Sequence, residues 1–258
     1  MKKKCLWCLE TEPKVTFERK AHTIPKSLGG QNFNPNVCDN CNNHFGDRKC
    51  NNGKYSIEEA LKEAFIISRT RLLNGENTKR KIGRFKSKFF DVKDKKGKLS
   101  LSIKTSFRFT PGFQKELCNS FKRGLYKMYF EELNRQKNSG FETKFDIIRN
   151  YGINNIGELP VFYFTRKFGI MMLLSREAET PIILFDRMKY LYSNDKFSEI
   201  EFLGHVFGFP ISDFDRNDIK MYISESLKIK KDYFTNAIIL DKLTDIDLTL
   251  NILNDKTA

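Results

Sequence analysis

Cys5-Leu6-Trp7-Cys8, then Lys20-Ala21-His22-Thr23-Ile24-Pro25-Lys26-Ser27-Leu28-Gly29-Gly30, then Val37-Cys38-Asp39-Asn40-Cys41-Asn42-Asn43-His44: these three pieces decide how the chain is read. Each Cys-x-x-Cys pair offers two sulfurs from one tight knuckle, so Cys5, Cys8, Cys38 and Cys41 together make a closed, four-sulfur, structural zinc site. Between the knuckles lies an extended segment, Lys20 to Ile24, closed by Pro25, and Gly29-Gly30 turns the chain back toward the second pair. A metal-held scaffold and one lone reactive imidazole, His22, thus share fewer than fifty residues.

Working outward, residues 1 to about 50 are polar, rich in Cys, Asn and turn formers, and too poor in large aliphatics to bury a core, so a metal is expected to substitute for one. From Ile57 to Leu73, Ala60, Leu61, Ala64, Phe65, Ile67 and Leu72 recur at helical spacing, with acids early and Arg69 and Arg71 late. Residues 79 to 104 carry eleven Lys and Arg against Asp91 and Asp94 alone. Arg84 to Val92 and Leu99 to Thr105 read as a basic β-hairpin turning at Lys95-Lys96-Gly97-Lys98. A long helix is expected from Phe113 to about Gln136, its stripe marked by Phe113, Leu117, Phe121, Leu125, Met128 and Leu133. Beyond Gly140, the segments 161–164, 169–174, 181–185 and 201–209 read as strands. The expected architecture is α+β: a zinc-stapled module over residues 1–56, then a larger α+β domain over 57–258 with the basic hairpin, the long helix and a mainly antiparallel sheet.

The 258 residues carry a net charge of +14, from 46 Lys and Arg against 32 Asp and Glu. That excess favours a polyanionic partner, and nucleic acid is the first candidate. No apolar run reaches the length of a membrane span, and Met1-Lys2-Lys3-Lys4 leads directly into Cys5 and Trp7 without the apolar run of a secretory signal. A cytoplasmic protein with no membrane partner is expected, and in a reducing compartment paired Cys-x-x-Cys holds zinc more often than it forms bridges. Cys50 and Cys118 read as ordinary thiols. The acidic group Asp213, Asp215 and Asp218 reads as a solvated turn after Pro210, and His205 as a packed or edge residue.

The order of a Cys-x-x-Cys knuckle, a His22-x-x-Pro25 strand with Leu28-Gly29-Gly30 after it, and Val37-Cys38-x-x-Cys41-Asn42-Asn43 resembles the zinc-knuckle branch of the HNH endonucleases. The resemblance covers residues 5 to 47. It implies a ββα-metal fold, in which a two-stranded hairpin carries His22 and a helix starting near Cys41 delivers a ligand to one catalytic divalent cation, Mg²⁺ or Mn²⁺. His22 would be the general base that takes a proton from the water attacking a DNA phosphodiester, a task suited to an imidazole pKa near ~6.5. Asn42 is the best match to the helix ligand, Asn43 the second. The family's middle asparagine falls on Asn36 first, with Asn34 and Asn32 as alternatives.

One departure stands out. The family commonly places Asp or Glu immediately before the histidine as a metal ligand, and this chain has Ala21. Strand alternation puts Glu18 on the face of His22 rather than of residue 21. His44 and Asp47 remain as ligands from the following helix, although His44 sits two residues after Asn42 and points about 200° away from it.

For substrate contact, Lys26 and the cations Lys79, Arg80, Lys81, Arg84, Lys86, Lys88, Lys95, Lys96 and Lys98 are expected to track phosphates, with low sequence specificity. The favoured function is therefore a metal-dependent HNH endonuclease acting on DNA. A rival is a zinc-ribbon nucleic-acid-binding module that has lost its metal carboxylate at Ala21. A third reading is a nuclease held silent inside a multi-protein defence or toxin system, with the C-terminal domain docking a co-encoded protein partner.

Overall fold

The structure, a computed structural model, describes residues 2–51, 54–73, 87–95, 98–168, 181–185 and 188–251. Two short strands, β1 (Ala21–His22) and β2 (Phe33–Asn34), pair antiparallel with Ala21 opposite Asn34 and His22 opposite Phe33. Helix α1 (Asp39–Gly46) follows, entered from Cys38 in extended backbone, with Asp39 favourably placed against the helix dipole. The same Asp39 carboxylate accepts from Thr16 Oγ1 and from the backbone N–H of Glu18 and Arg19, which ties the approach to β1 onto the first turn of α1.

Helix α2 (Ile57–Leu73) opens with a reciprocal cap: Glu59 N–H donates to Ser56 Oγ at 3.1 Å, and Ser56 N–H to Glu59 Oε2 at 2.9 Å. The basic hairpin forms as β3 (Phe90–Lys95) and β4 (Lys98–Ile103). Its base is fastened by the buried Glu63 of α2, which accepts from Ser87 Oγ and the N–H of Lys88, and by Phe89 and Phe90 packed on Phe107. Leu101 and Ile103 at the end of β4 are exposed.

The long helix, α3 (Pro111–Lys137), starts with Pro at its first position and ends at Asn138 in the left-handed region. It is buried nearly throughout and is the spine of the molecule. A short helix, α4 (Asp146–Arg149), runs into a π-helical turn. The sheet then assembles from β5 (Phe162–Arg166), β6 (Leu184–Phe185), β7 (Phe197–Phe202), β8 (His205–Pro210) and β9 (Phe234–Ile239), with helix α5 (Arg216–Ile229) between β8 and β9. Strand order is β6-β7-β8-β5-β9 and every pairing is antiparallel. Phe207 and Phe209 meet Phe121 and Tyr126 of α3 on one face, while Phe197 stacks on Tyr222 of α5 on the other at 4.3 Å. The result is the α+β architecture, with one apolar cluster running from the zinc knuckles through α2 and α3 to the sheet.

Three expectations for the C-terminal part need correction. The segment 201–209 is two strands: Leu203 and Gly204, at φ 46° and 81°, make the tight turn of a hairpin with Phe202 opposite His205. The three aspartates do not form a mere turn, because Asp215 caps α5 in a reciprocal box with Asp218. Within 181–185, only Leu184 and Phe185 form a strand, while 169–174 lies outside the described residues. Gly208 has no room for a side chain, since a Cβ there would sit 1.7 Å from the Tyr222 hydroxyl. That opening lets Tyr222 reach the buried Glu199 on β7, which Ser226 and Lys230 also engage.

Candidate functional site

The four sulfurs of Cys5, Cys8, Cys38 and Cys41 all lie within 4.8 Å of one another. Tetrahedral zinc with bonds of about 2.3 Å separates its sulfurs by about 3.8 Å, and Cys8 Sγ lies 3.8 Å from Cys38 Sγ. Crowding acts on the thiols in the sense a cation would resolve. The hydrogen bond from Cys41 holds Cys5 down at about 5, Cys5 in turn pushes Cys41 far up, and burial lifts Cys8 to about 11. Four thiolates cannot coexist there without a positive charge, so the donor set fits zinc.

The clamp seats the module on α3 through polar contacts as well as rings. Trp7 packs edge-on against Phe130, and its Nε1 donates to Glu131 Oε1 at 3.0 Å. Asn34 Nδ2 donates to the Glu131 carbonyl at 2.7 Å and to Asn134 Oδ1 at 3.0 Å. Lys127 Nζ donates to the His22 carbonyl at 2.7 Å and forms ion pairs with Glu131 at 3.1 Å and Glu58 at 3.4 Å. The expectation that metal alone replaces a core in residues 1–50 is thus incomplete: Trp7 and Phe45 join the common core.

His22 is half-buried on β1. Its Nδ1 is buried and finds no hydrogen-bond partner among the described residues. Burial first, and then the positive charges of Lys26 and Lys127, hold its pKa below the ordinary value, with Glu58 opposing them. The imidazole is accordingly neutral at neutral pH, as a proton acceptor must be. Exposed Lys26 and Lys20 form a cationic rim near the ring, Lys20 lying over the Phe33 ring at 5.3 Å.

Asn42, Asn43, Gly46, Asp47 and Glu58 line an open hollow between α1 and the start of α2. Its donors are amide and carboxylate oxygens, a set that fits a hard cation such as Mg²⁺ or Mn²⁺. Asn43 Oδ1 already accepts from Arg19 Nη1 at 2.6 Å, and Asp47 Oδ1 accepts from the Lys49 N–H at 2.9 Å. His44 turns toward α3, where Arg123 Nη2 stands 3.2 Å from its Nε2, and it does not line the hollow. A guanidinium at that nitrogen is poor company for a second cation.

Of the asparagines considered for the middle position, Asn34 is buried and takes the Asn36 N–H on its Oδ1 at 2.8 Å. Asn36 instead joins the first knuckle, its carbonyl accepting from Leu6 N–H at 2.6 Å, and Asn32 accepts from Thr23 N–H through its carbonyl. Among the hairpin cations, Lys88 is exposed and its ammonium donates to the Lys54 carbonyl. Lys79, Arg80, Lys81, Arg84, Lys86 and Lys96 lie outside the described residues, and Lys95 and Lys98 are described in backbone only. Sequence reasoning missed Glu58, Lys20 and Lys127. Glu58 carries a faint signal, an acid in the first turn of a helix close behind the knuckles, whereas Lys127 carries none.

A hairpin and a helix, with a four-cysteine cluster able to hold zinc, follow one another here as β1, β2 and α1. Residues 5–52, about a fifth of the chain, match the HNH endonuclease family, and the N-terminal module is an HNH domain with its cysteine cluster. No curated protein and no solved structure matches the chain. No helix among the described residues is long and apolar enough to cross a membrane.

Proposed function

We propose that the protein is a metal-dependent endonuclease that hydrolyses DNA phosphodiester bonds, with His22 as general base. The observation that carries this reading is a half-open, neutral His22 on the β1–β2 pair of an HNH domain, its ring flanked by lysines. His22 takes a proton from the attacking water. Lys127 holds the His22 carbonyl and so fixes the strand that aims the ring. Asn34, latched to the Glu131 carbonyl and to Asn134, steadies the return strand behind it, in the part first assigned to Asn36. Lys20 and Lys26 draw the phosphate backbone to the ring, an attraction that carries no base information. Asn42 and Asp47 would hold the divalent cation, which when bound stabilises negative charge on the phosphate and the leaving 3′-oxygen.

Supercoiled plasmid tests the proposal. The zinc-loaded full-length chain should relax or linearise it with Mg²⁺ or Mn²⁺ and stop when EDTA is added. Tight plasmid binding without cutting under any divalent cation would replace this reading by the ribbon that only holds nucleic acid, as the loss of a carboxylate at Ala21 suggests.

A further inference from the structure

The residue that precedes the catalytic histidine on β1 is Ala21, fully buried and therefore turned into the core. No ligand can reach a cation from that position. Next to the module, the first turn of α2 carries two neighbouring acids with different fates. Glu59 is consumed: it caps its own helix through Ser56 and grips Arg48 with both oxygens. Glu58 is turned about 100° from it and lines the same hollow as Asn42 and Asp47. It is also the carboxylate whose charge acts on the His22 ring. Lys127 faces Glu58 Oε1 at 3.4 Å, a looser partner than Glu131 at 3.1 Å, and the Glu58 side chain stays 26% exposed. Glu58 is therefore the group that the hollow and the imidazole share.

We propose that Glu58, outside the segment matched by the HNH family, is the carboxylate ligand of the divalent cation, supplied from α2 because Ala21 leaves β1 without one. This rests on the nuclease reading above and deepens it: the metal site is completed only when α2 docks on α1. Lys127 would keep Oε1 in place, leaving Oε2 available to a cation held together with Asn42 and Asp47, which line the same hollow. Lys127 loses no essential partner in a Glu58→Gln variant, since Glu131 remains, so that variant is expected to fold.

The test is Mn²⁺ titration of the zinc-loaded full-length protein, with free Mn²⁺ read by electron paramagnetic resonance. Glu58→Gln should weaken Mn²⁺ binding tenfold or more, Glu58→Asp should weaken it less, and zinc content and melting temperature should stay at the wild-type values. Adding Asn42→Asp to Glu58→Gln should recover Mn²⁺ binding at least in part, because a carboxylate returns to the same hollow; a merely structural role for Glu58 gives no recovery. Mn²⁺ affinity within twofold of wild type in Glu58→Gln overturns the assignment, as does a wild-type protein that binds no Mn²⁺. The two readings fail separately. Cutting that persists in wild type and is lost in His22→Ala, with Mn²⁺ binding indifferent to Glu58, removes Glu58 and keeps the nuclease. Mn²⁺ binding lost with Glu58, in a protein that never cuts DNA, keeps Glu58 and removes the nuclease.

Discussion

The three histidines of this chain occupy three environments, and their chemistry follows from burial and neighbours. His22 is half-open and rimmed by lysines, His44 faces the Arg123 guanidinium, and His205 is sealed inside the sheet. Ser68 Oγ lies 2.6 Å from His205 Nε2 and the Tyr163 hydroxyl 3.2 Å from its Nδ1, so the ring links α2 to the sheet. Burial, with Arg166 assisting, holds its pKa at about 3. A folded-state pKa below the unfolded one gives stability that is present above about 6.5 and lost as pH falls toward 3. By pH 5 this one residue should cost the fold about 2 kcal/mol. Urea unfolding at pH 7.5 and 5 should show that His205→Gln loses less stability on acidification, by about that amount; equal losses would mean that His205 does not titrate in this way.

Among the elements, those built from local spacing were the legible ones. Two Cys-x-x-Cys pairs are enough to predict the four-sulfur clamp, because each knuckle depends on residues three positions apart, whereas the hairpin carrying His22 and the helix near Cys41 were legible only through the resemblance to the HNH endonucleases. Asn34 is different: its partners on α3 are 97 and 100 residues away, so nothing near it in the chain separates it from Asn32 or Asn36. Helix α5 hid behind its own cap, since Asp215 and Asp218 look like a solvated acidic turn until the backbone N–H groups they accept from are in place. The zinc clamp carries its own prediction. Cys38→Ser should cut bound zinc from one per chain toward none and unfold the N-terminal module, because a structural zinc contributes on the order of 10 kcal/mol. Metal analysis with amide exchange over residues 5–47 would show it; a Cys38→Ser protein with full zinc and native protection would contradict the four-sulfur site.

At the scale of the whole molecule, pairing across long sequence distance decided what stayed hidden. Strand β7 carries Glu199 and Glu201, both buried against Lys230 and Arg166 from other elements. Those partners lie far along the chain, and the stretch read as one strand over 201–209 is the end of β7 and most of β8. In the same way, α3 grips the HNH domain through Lys127 and Glu131, and α2 brings Glu58 to its edge, so the candidate site draws on elements outside the module. The central claim is that this assembly lets His22 act as a base on nucleic acid. Its most direct measurement is DNA binding and plasmid cleavage by wild type and His22→Ala side by side, in Mg²⁺ or Mn²⁺, with zinc content checked in both. Loss of a general base should lower cleavage by about 10²-fold or more while DNA affinity and zinc content hold. Cleavage by His22→Ala at the wild-type rate would contradict the account.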